Sequence, residues 1–374
     1  MTVAAILFEG GPAPAGSLGL TLARLRQAVC LDTVERLLAL GELNQVIVAT
    51  DRPELAAAAS RLGARVHRTR EPFDFHRELL AAVAGAGTEA VICLGGASLP
   101  LLGLEEWRWI LRTLEEKAPC VVVNNPQSPD LVAWSPARAL ERVRALDRDN
   151  ALGQALRFEA GLERYLLPNS GAVHFDLDTP VDYLILAETG RAGPRAREAL
   201  GALEWDRSRV RAIRALLGRD LAELGLVGRV GTAVVEYLNT WFRLRVRVFS
   251  EERGMKALGR EDRGEVVSFM AAVMEDLGPE RFFRHLGRVC HGLCVDSRVI
   301  FAHGGRRVSE WDRYHSDLGQ VEAIQDPWVR RFTAAALAAE VPVLLGGHSV
   351  VAGGLWVLAE AALADLGGPR VRYR

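Results

Sequence analysis

Three carboxylates fall within seven residues near the middle of the chain: Asp176-x-Asp178-Thr179-Pro180-x-Asp182. They follow the apolar run Ala172-Val173-His174-Phe175, which reads as the end of a strand. Thr179 or Asp178 suits the N-cap of the next helix, and Pro180 fits its first turn. Grouped carboxylates beyond a strand end are a chemistry for holding a divalent cation. A helix cap alone accounts for the same letters. Two glycine pairs also follow apolar runs, Gly10-Gly11 after "VAAILF" and Gly95-Gly96 in "AVICLGGASLPLL". Backbone N–H groups at Gly10, Gly11, Gly16 and Gly19 suit the cradling of an anion.

Polar groups are denser toward the C-terminus. "VFSEERGMKALGRED" sets Glu251, Glu252, Arg253, Lys256 and Arg260 among glycines, as a phosphate loop or as a solvated connection. Residues 295–320 hold Asp296, Arg298, His303, Asp312, Arg313, His315 and Asp317, a mixed ligand set. On a helix Asp312 and His315 share a face and Asp317 does not. "VPVLLGGHSVV" places Gly347 and His348 between a strand and a helix, an anion-site arrangement. It lacks the lysine of a Walker loop and does not fit the Gly-x-Ser-x-Gly elbow.

The elements that must position these groups alternate along the first half. Apolar runs at 3–8, 44–50, 64–69, 90–96 and 120–125 read as strands separated by helical patterns such as 20–40 and 104–116. Runs apolar on both faces predict a mostly parallel sheet covered on both sides, with ligands beyond the carboxyl ends of its strands. The loops to watch are 9–19, 50–53, 95–100, 124–130 and the one near 176. The boundary falls in the Gly-, Ala- and Arg-rich stretch 187–206, giving domains 1–190 and 207–374. The second reads as mainly α-helical, with helices at 208–225, 228–246, 263–277, 279–290, 327–340 and 350–364. Two embedded strands, "RVIFAH" and "VPVLLGG", complete it.

The order of the first-half motifs resembles the MobA-like nucleotidyltransferases, which have a glycosyltransferase-A type fold. "DLDTPVDYL" resembles that family's "D-x-D-T-P-x-D-L" segment, Gly10-Gly11 its nucleotide loop, and "GGASLPLL" its "D-x-P-L-L" loop. The resemblance covers roughly residues 1–190. It implies nucleotide binding by Gly10, Gly11, Gly95, Gly96 and Ser98. It also implies Mg²⁺ on Asp176 or Asp178, with Asp182 on the first helical turn, where its charge suits the helix dipole. Two family features are missing. No charge stands between Glu9 and Arg24, leaving Arg24 or Arg26 to replace the usual lysine. Ala97 or Ser98 stands where the family places its second metal-binding aspartate. His76, Arg77, Asn124 and Asn125 are further candidates for contacts with a base, sugar or phosphate.

Composition narrows the classes. The chain has 374 residues, 49% of them hydrophobic, and a formal net charge of −1. That supports a sizeable core and gives no bulk charge for nucleic acid or an anionic membrane. No apolar run spans a bilayer and no basic segment precedes the first one, so a cytoplasmic location is expected. Five scattered cysteines read as buried thiols. Of 46 basic residues only Lys117 and Lys256 are lysines, so arginine clusters carry less information than usual.

The expected activity is transfer of a nucleotidyl group from a nucleoside triphosphate to a small phosphorylated acceptor. Asp176, Asp178 and Lys256 are its catalytic candidates. Arg260, His303, Asp312, His315, Asp317, Gly347 and His348 are candidates for the acceptor or an anion. Two other readings stay open. One is a non-catalytic binder of a nucleotide or phosphometabolite with an eroded metal site. The other is a metal-dependent hydrolase in the C-terminal half. The oligomeric state is left open.

Overall fold

The computed structural model describes residues 1–11, 16–146 and 149–368. Part of the loop at 9–19, residues 12–15, lies outside them. The chain divides into two compact units. The first holds Met1–His174 and Ala192–Ala202, and the second Phe175–Arg191 and Leu203–Arg374.

The first unit is built on seven strands: β1 Val3–Phe8, β2 Gln45–Thr50, β3 Arg65–Arg68, β4 Ala90–Gly95, β5 Cys120–Val123, β6 Leu131–Ser135 and β7 Glu163–Leu166. Their order is β3-β2-β1-β4-β6-β5-β7. All neighbours run parallel except β6, which is antiparallel to β4 and β5. The central strands are buried along nearly their whole length, as strands covered on both faces must be. The five expected strands are all present. The sequence reading missed β6 and β7, and the expected strand before Asp176 does not form. Gly171–His174 is instead a single helical turn, followed by irregular backbone to Asp178. Four apolar or neutral letters do not distinguish strand from helical turn by period alone.

The second unit has a four-stranded parallel sheet of β8 Glu223–Gly228, β9 Arg245–Ser250, β10 Gly292–Asp296 and β11 Val343–Gly346, in the order β11-β10-β8-β9. Around it the unit is rich in helix. The expected helices 208–225 and 228–246 shorten to Ser208–Leu217 and Thr232–Trp241, and β8 and β9 take the remainder. "RVIFAH" is not a strand. It belongs to the helix Ser297–Ala302, and the strand is the run before it. A buried helical turn and a buried strand of this length carry the same hydrophobic signature.

Two segments near the division are held by particular contacts. The helix Pro180–Thr189 is buried from Pro180 through Leu186, and a helix apolar nearly all round must be enclosed. It packs against the helix Gly353–Asp365 of the second unit. Residues 192–202 return to the first unit. There the Asp32 carboxylate, buried in the helix Gly16–Ala39, accepts from the Arg195 N–H at 3.1 Å and the Ala196 N–H at 2.9 Å. Gly193 passes so close to Asp32 that a methyl group there would stand 2.4 Å from its Oδ2. Asp32 thus caps the helix Pro194–Gly201 from another element. Asp32→Ala should lower stability by about 1.5–3 kcal/mol, the range for hydrogen bonds to a charged group. A urea melt unchanged from wild type would show that this segment is held by other contacts.

Candidate functional site

In the first unit β1 continues to β2 and β3 on one side of the sheet, while β4 joins it on the other. The strand order therefore reverses between β1 and β4, the position at which open α/β sheets leave a crevice beyond their carboxyl ends. Phe8 is level with Gly95 in the ladder, so the loops after both strands start side by side. The sequence-predicted Gly10, Gly11, Gly95, Gly96 and Ser98 are all on these two loops. A methyl group on Gly10 would stand 2.4 Å from Asp51 Oδ1. One on Gly96 would stand 2.6 Å from Glu9 Cβ and 3.0 Å from Cys30 Sγ. Gly96 is thus restricted to bare backbone, whereas at Gly10 the exposed Asp51 side chain would have to swing aside. Leu99 closes the second loop at φ 49°, a left-handed conformation rare for a side chain of this size.

Some polar groups of these loops have partners within the fold. The Gly96 N–H donates to the Phe8 carbonyl at 2.8 Å, and the Ser98 N–H to the Gly95 carbonyl at 3.1 Å. Arg26, considered above as a substitute for the missing lysine, donates from Nε and Nη2 to both oxygens of buried Glu9, each at 3.1 Å. Arg52 reaches the Gly11 carbonyl at 3.4 Å. Burial pushes the Cys30 thiol well up, so it is an inert core group. Arg77 binds Glu78 and the Pro72 carbonyl. Asn124 ties the β5–β6 connection by accepting from the Asp130 and Leu131 N–H groups and donating to the Val173 carbonyl.

In the second unit the acidic motif does two things. Asp182 is wholly buried, and its Oδ2 accepts from the N–H of Asp178 (3.0 Å), the N–H of Thr179 (2.7 Å) and the Thr179 hydroxyl (2.8 Å). That is a capping box, in which Asp182 orders the turn that presents Asp178. Asp178 is exposed and Asp176 half-buried. Among the described residues no three His, Cys, Asp or Glu side chains gather into a group able to hold a metal ion. With Asp182 engaged as a cap, Asp176 and Asp178 are the carboxylates that would hold Mg²⁺. Two such ligands are what Mg²⁺ commonly takes from protein when phosphates and water supply the rest, and its charge would offset theirs.

The other predicted residues of this unit do not converge. Asp312 is held by Ser309 and by the Gln325 N–H. His315 lies against Trp311, with Nδ1 2.6 Å from Gln320 Oε1. Asp317 forms a buried two-oxygen pair with Arg298. Arg260 is paired with Glu252 at 2.9 Å through both oxygens. The Ser268 N–H donates to His303 Nδ1 at 3.0 Å. Lys256 is exposed on the turn-rich segment 253–264.

What the sequence reading missed is Arg229. It follows β8 and grips both oxygens of buried Asp296, the last residue of β10, with Nη2 to Oδ1 at 3.0 Å. Gly228, at φ 111°, lets Asp296 in: a methyl group there would stand 2.6 Å from the Asp296 Cβ. The signal was present as "LVGRVG", a run ending in glycines, but it was absorbed into an expected helix. Gly347 and His348 follow β11 at the same end of the sheet. His348 is exposed, and partial desolvation, then Arg229, holds its imidazole below its ordinary value. It is therefore neutral at physiological pH, able to accept one hydrogen bond and donate another.

No family model matches the chain, and no curated protein matches it in sequence. Solved structures align with about half of it. A CMP-2-keto-3-deoxy-manno-octonic acid synthetase complexed with CTP is 15% identical over 48% of this chain and 93% of its own, with a TM-score of 0.36. A cytidylyltransferase from Leptospira borgpetersenii is 14% identical over 54% and 92%, at 0.39. A 4-diphosphocytidyl-2C-methyl-D-erythritol synthase from Anaerococcus prevotii is 10% identical over 48% and 94%, at 0.35.

The acidic motif yields a test by pH. Burial, with Asp178 beside it, pushes the Asp182 carboxyl up to about 7 from its ordinary 3.8, against the pull of Thr179 and Ser349. A raised folded pKa stabilises the fold fully below pH 3.8, and that contribution is lost as pH rises through about 7. Asp182→Asn keeps an acceptor for Thr179 and cannot titrate. The stability of wild type relative to Asp182→Asn should therefore fall as pH rises across that window. A difference independent of pH would mean that Asp182 is ionised throughout.

Proposed function

We propose that the first unit binds a nucleotide over the loops after β1 and β4. The protein would then be a nucleotidyltransferase-like enzyme passing a nucleotidyl group to a small phosphorylated acceptor. The observation that carries this reading is the convergence of two glycine loops at the point where the strand order reverses, the first with Gly11 at φ 97° and the second with Gly96, which admits no side chain. Close backbone approach is what a flat base or a phosphate needs from such a loop. Gly10, Gly11, Gly95, Gly96 and Ser98 supply that surface. In the second unit, Asp176 and Asp178 are the carboxylates this reading gives to Mg²⁺.

A second reading is favoured by a specific observation. Arg26 neutralises Glu9 instead of standing free for phosphate, and Ala97-Ser98 offers no carboxylate. A protein that binds the nucleotide without transferring it fits those two facts.

Titration of the full chain with each nucleoside triphosphate, with pyrophosphate release measured in parallel, separates the two. Gly10→Val should weaken the preferred nucleotide by about tenfold or more, the loss of one good polar contact. Binding with no pyrophosphate release selects the binder, and no binding of any nucleotide removes both readings. In the same calorimetry, Asp176→Asn combined with Asp178→Asn should abolish nucleotide-dependent Mn²⁺ uptake. Uptake equal to wild type would move the cation to other residues.

A further inference from the structure

Of the charged side chains read from residues 295–320, Arg313 is the one that the fold does not use. It stands half-buried on the helix Glu310–Asp317, and its Nε is fully buried without a hydrogen-bond partner. Among the described residues, every other arginine that is not exposed is met by a carboxylate, a carbonyl or an aromatic ring. Asp317 feels the Arg313 charge but gives both of its oxygens to Arg298. Withdrawing a guanidinium from water without giving it an acceptor costs free energy, and such a group calls for a functional account.

Arg313 lines a cavity of about 340 Å³ within the second unit, a size that suits a small molecule. Arg298, Arg306 and Arg307 share the wall. Arg298 is neutralised by Asp317. Arg306 lies over the Trp328 ring at 3.9 Å, with Glu275 at 3.7 Å. Arg307 is exposed and, like Arg313, has no side-chain hydrogen bond, ion pair or ring contact among the described residues. Glu261 and Asp262 bring carboxylates to the same cavity, and Phe301 and Val308 give it an apolar surface.

Two guanidiniums without counter-ions match the double charge of a phosphomonoester, and their planar forks suit its oxygens. Carboxylates accept hydrogen bonds and repel a second anionic group, so beside the phosphate they favour hydroxyls. We infer that the second unit binds a small phosphorylated polyol in this cavity, with the phosphate on Arg307 and Arg313 and the hydroxyls toward Glu261 and Asp262. The site does not depend on the nucleotide reading, because all of these residues belong to the second unit.

In calorimetry the full chain should bind glycerol phosphate, inorganic phosphate more weakly, and succinate not measurably. Arg313→Gln and Arg307→Gln should each weaken glycerol phosphate by about tenfold or more, the loss of a charge-assisted contact. Arg307→Gln should melt as wild type does without ligand, since its exposed side chain is not held by the fold, and it keeps the test decisive if Arg313→Gln does not fold. Glu261→Gln combined with Asp262→Asn should erase the preference for glycerol phosphate over inorganic phosphate. Three results overturn the site: no binding of glycerol phosphate, succinate binding as tightly, or an affinity unchanged in Arg307→Gln or in folded Arg313→Gln. The last would put the phosphate elsewhere, as on the loops of the first unit. A preference that survives in the double carboxylate variant overturns the assignment of a polyol.

Discussion

The hydrogen bond from the Gly96 N–H to the Phe8 carbonyl carries the β1–β4 ladder one step past the strand end. Everything proposed for the first unit depends on that step. It fixes the second loop beside the first, and the missing side chain at Gly96 leaves room for Glu9 to turn inward and meet Arg26. A larger residue at 96 would have to displace Glu9 or Cys30, both in the interior, and interiors packed to crystal-like density yield little. The side-by-side placement of the two loops is therefore a consequence of strand pairing as much as of their own sequences.

Ion pairing follows the same logic in the second unit. Asp296 and Asp317 are buried, and each is met by both arms of an arginine, Arg229 and Arg298 respectively. Burial alone would push the Asp296 carboxyl up, but the Arg229 guanidinium holds it below its ordinary value. Such pairs add little net stability over an apolar core, but losing one partner costs about 3–5 kcal/mol because the other is stranded. An arginine-rich chain supplies these partners readily, and it explains why several residues that looked like ligands are braces.

The two units treat their sheets differently. In the first, the short edge strands β3 and β7 are half-covered, and the buried surface lies in the middle of the sheet. In the second, β8 and β10 are enclosed while β9 keeps an open edge.

The periodicity of the sequence was sufficient for the central strands β1, β2 and β4 and for the glycine loops that end β1 and β4. A strand buried on both faces is written as an unbroken apolar run, and a turn that admits no side chain is written as glycine. The same local rules anticipated Asp182 on the first helical turn, because a cap is satisfied within four residues. Tertiary structure decided the rest. The run at 298–303 and most of that at 172–175 have the letters of strands and the backbone of helical turns, since only the packing around them distinguishes the two. Asp312, His315 and Asp317 are close in sequence, yet each is claimed by a different neighbour. Arg229 finds Asp296 across 67 residues, a contact that exists only once β8 and β10 lie side by side.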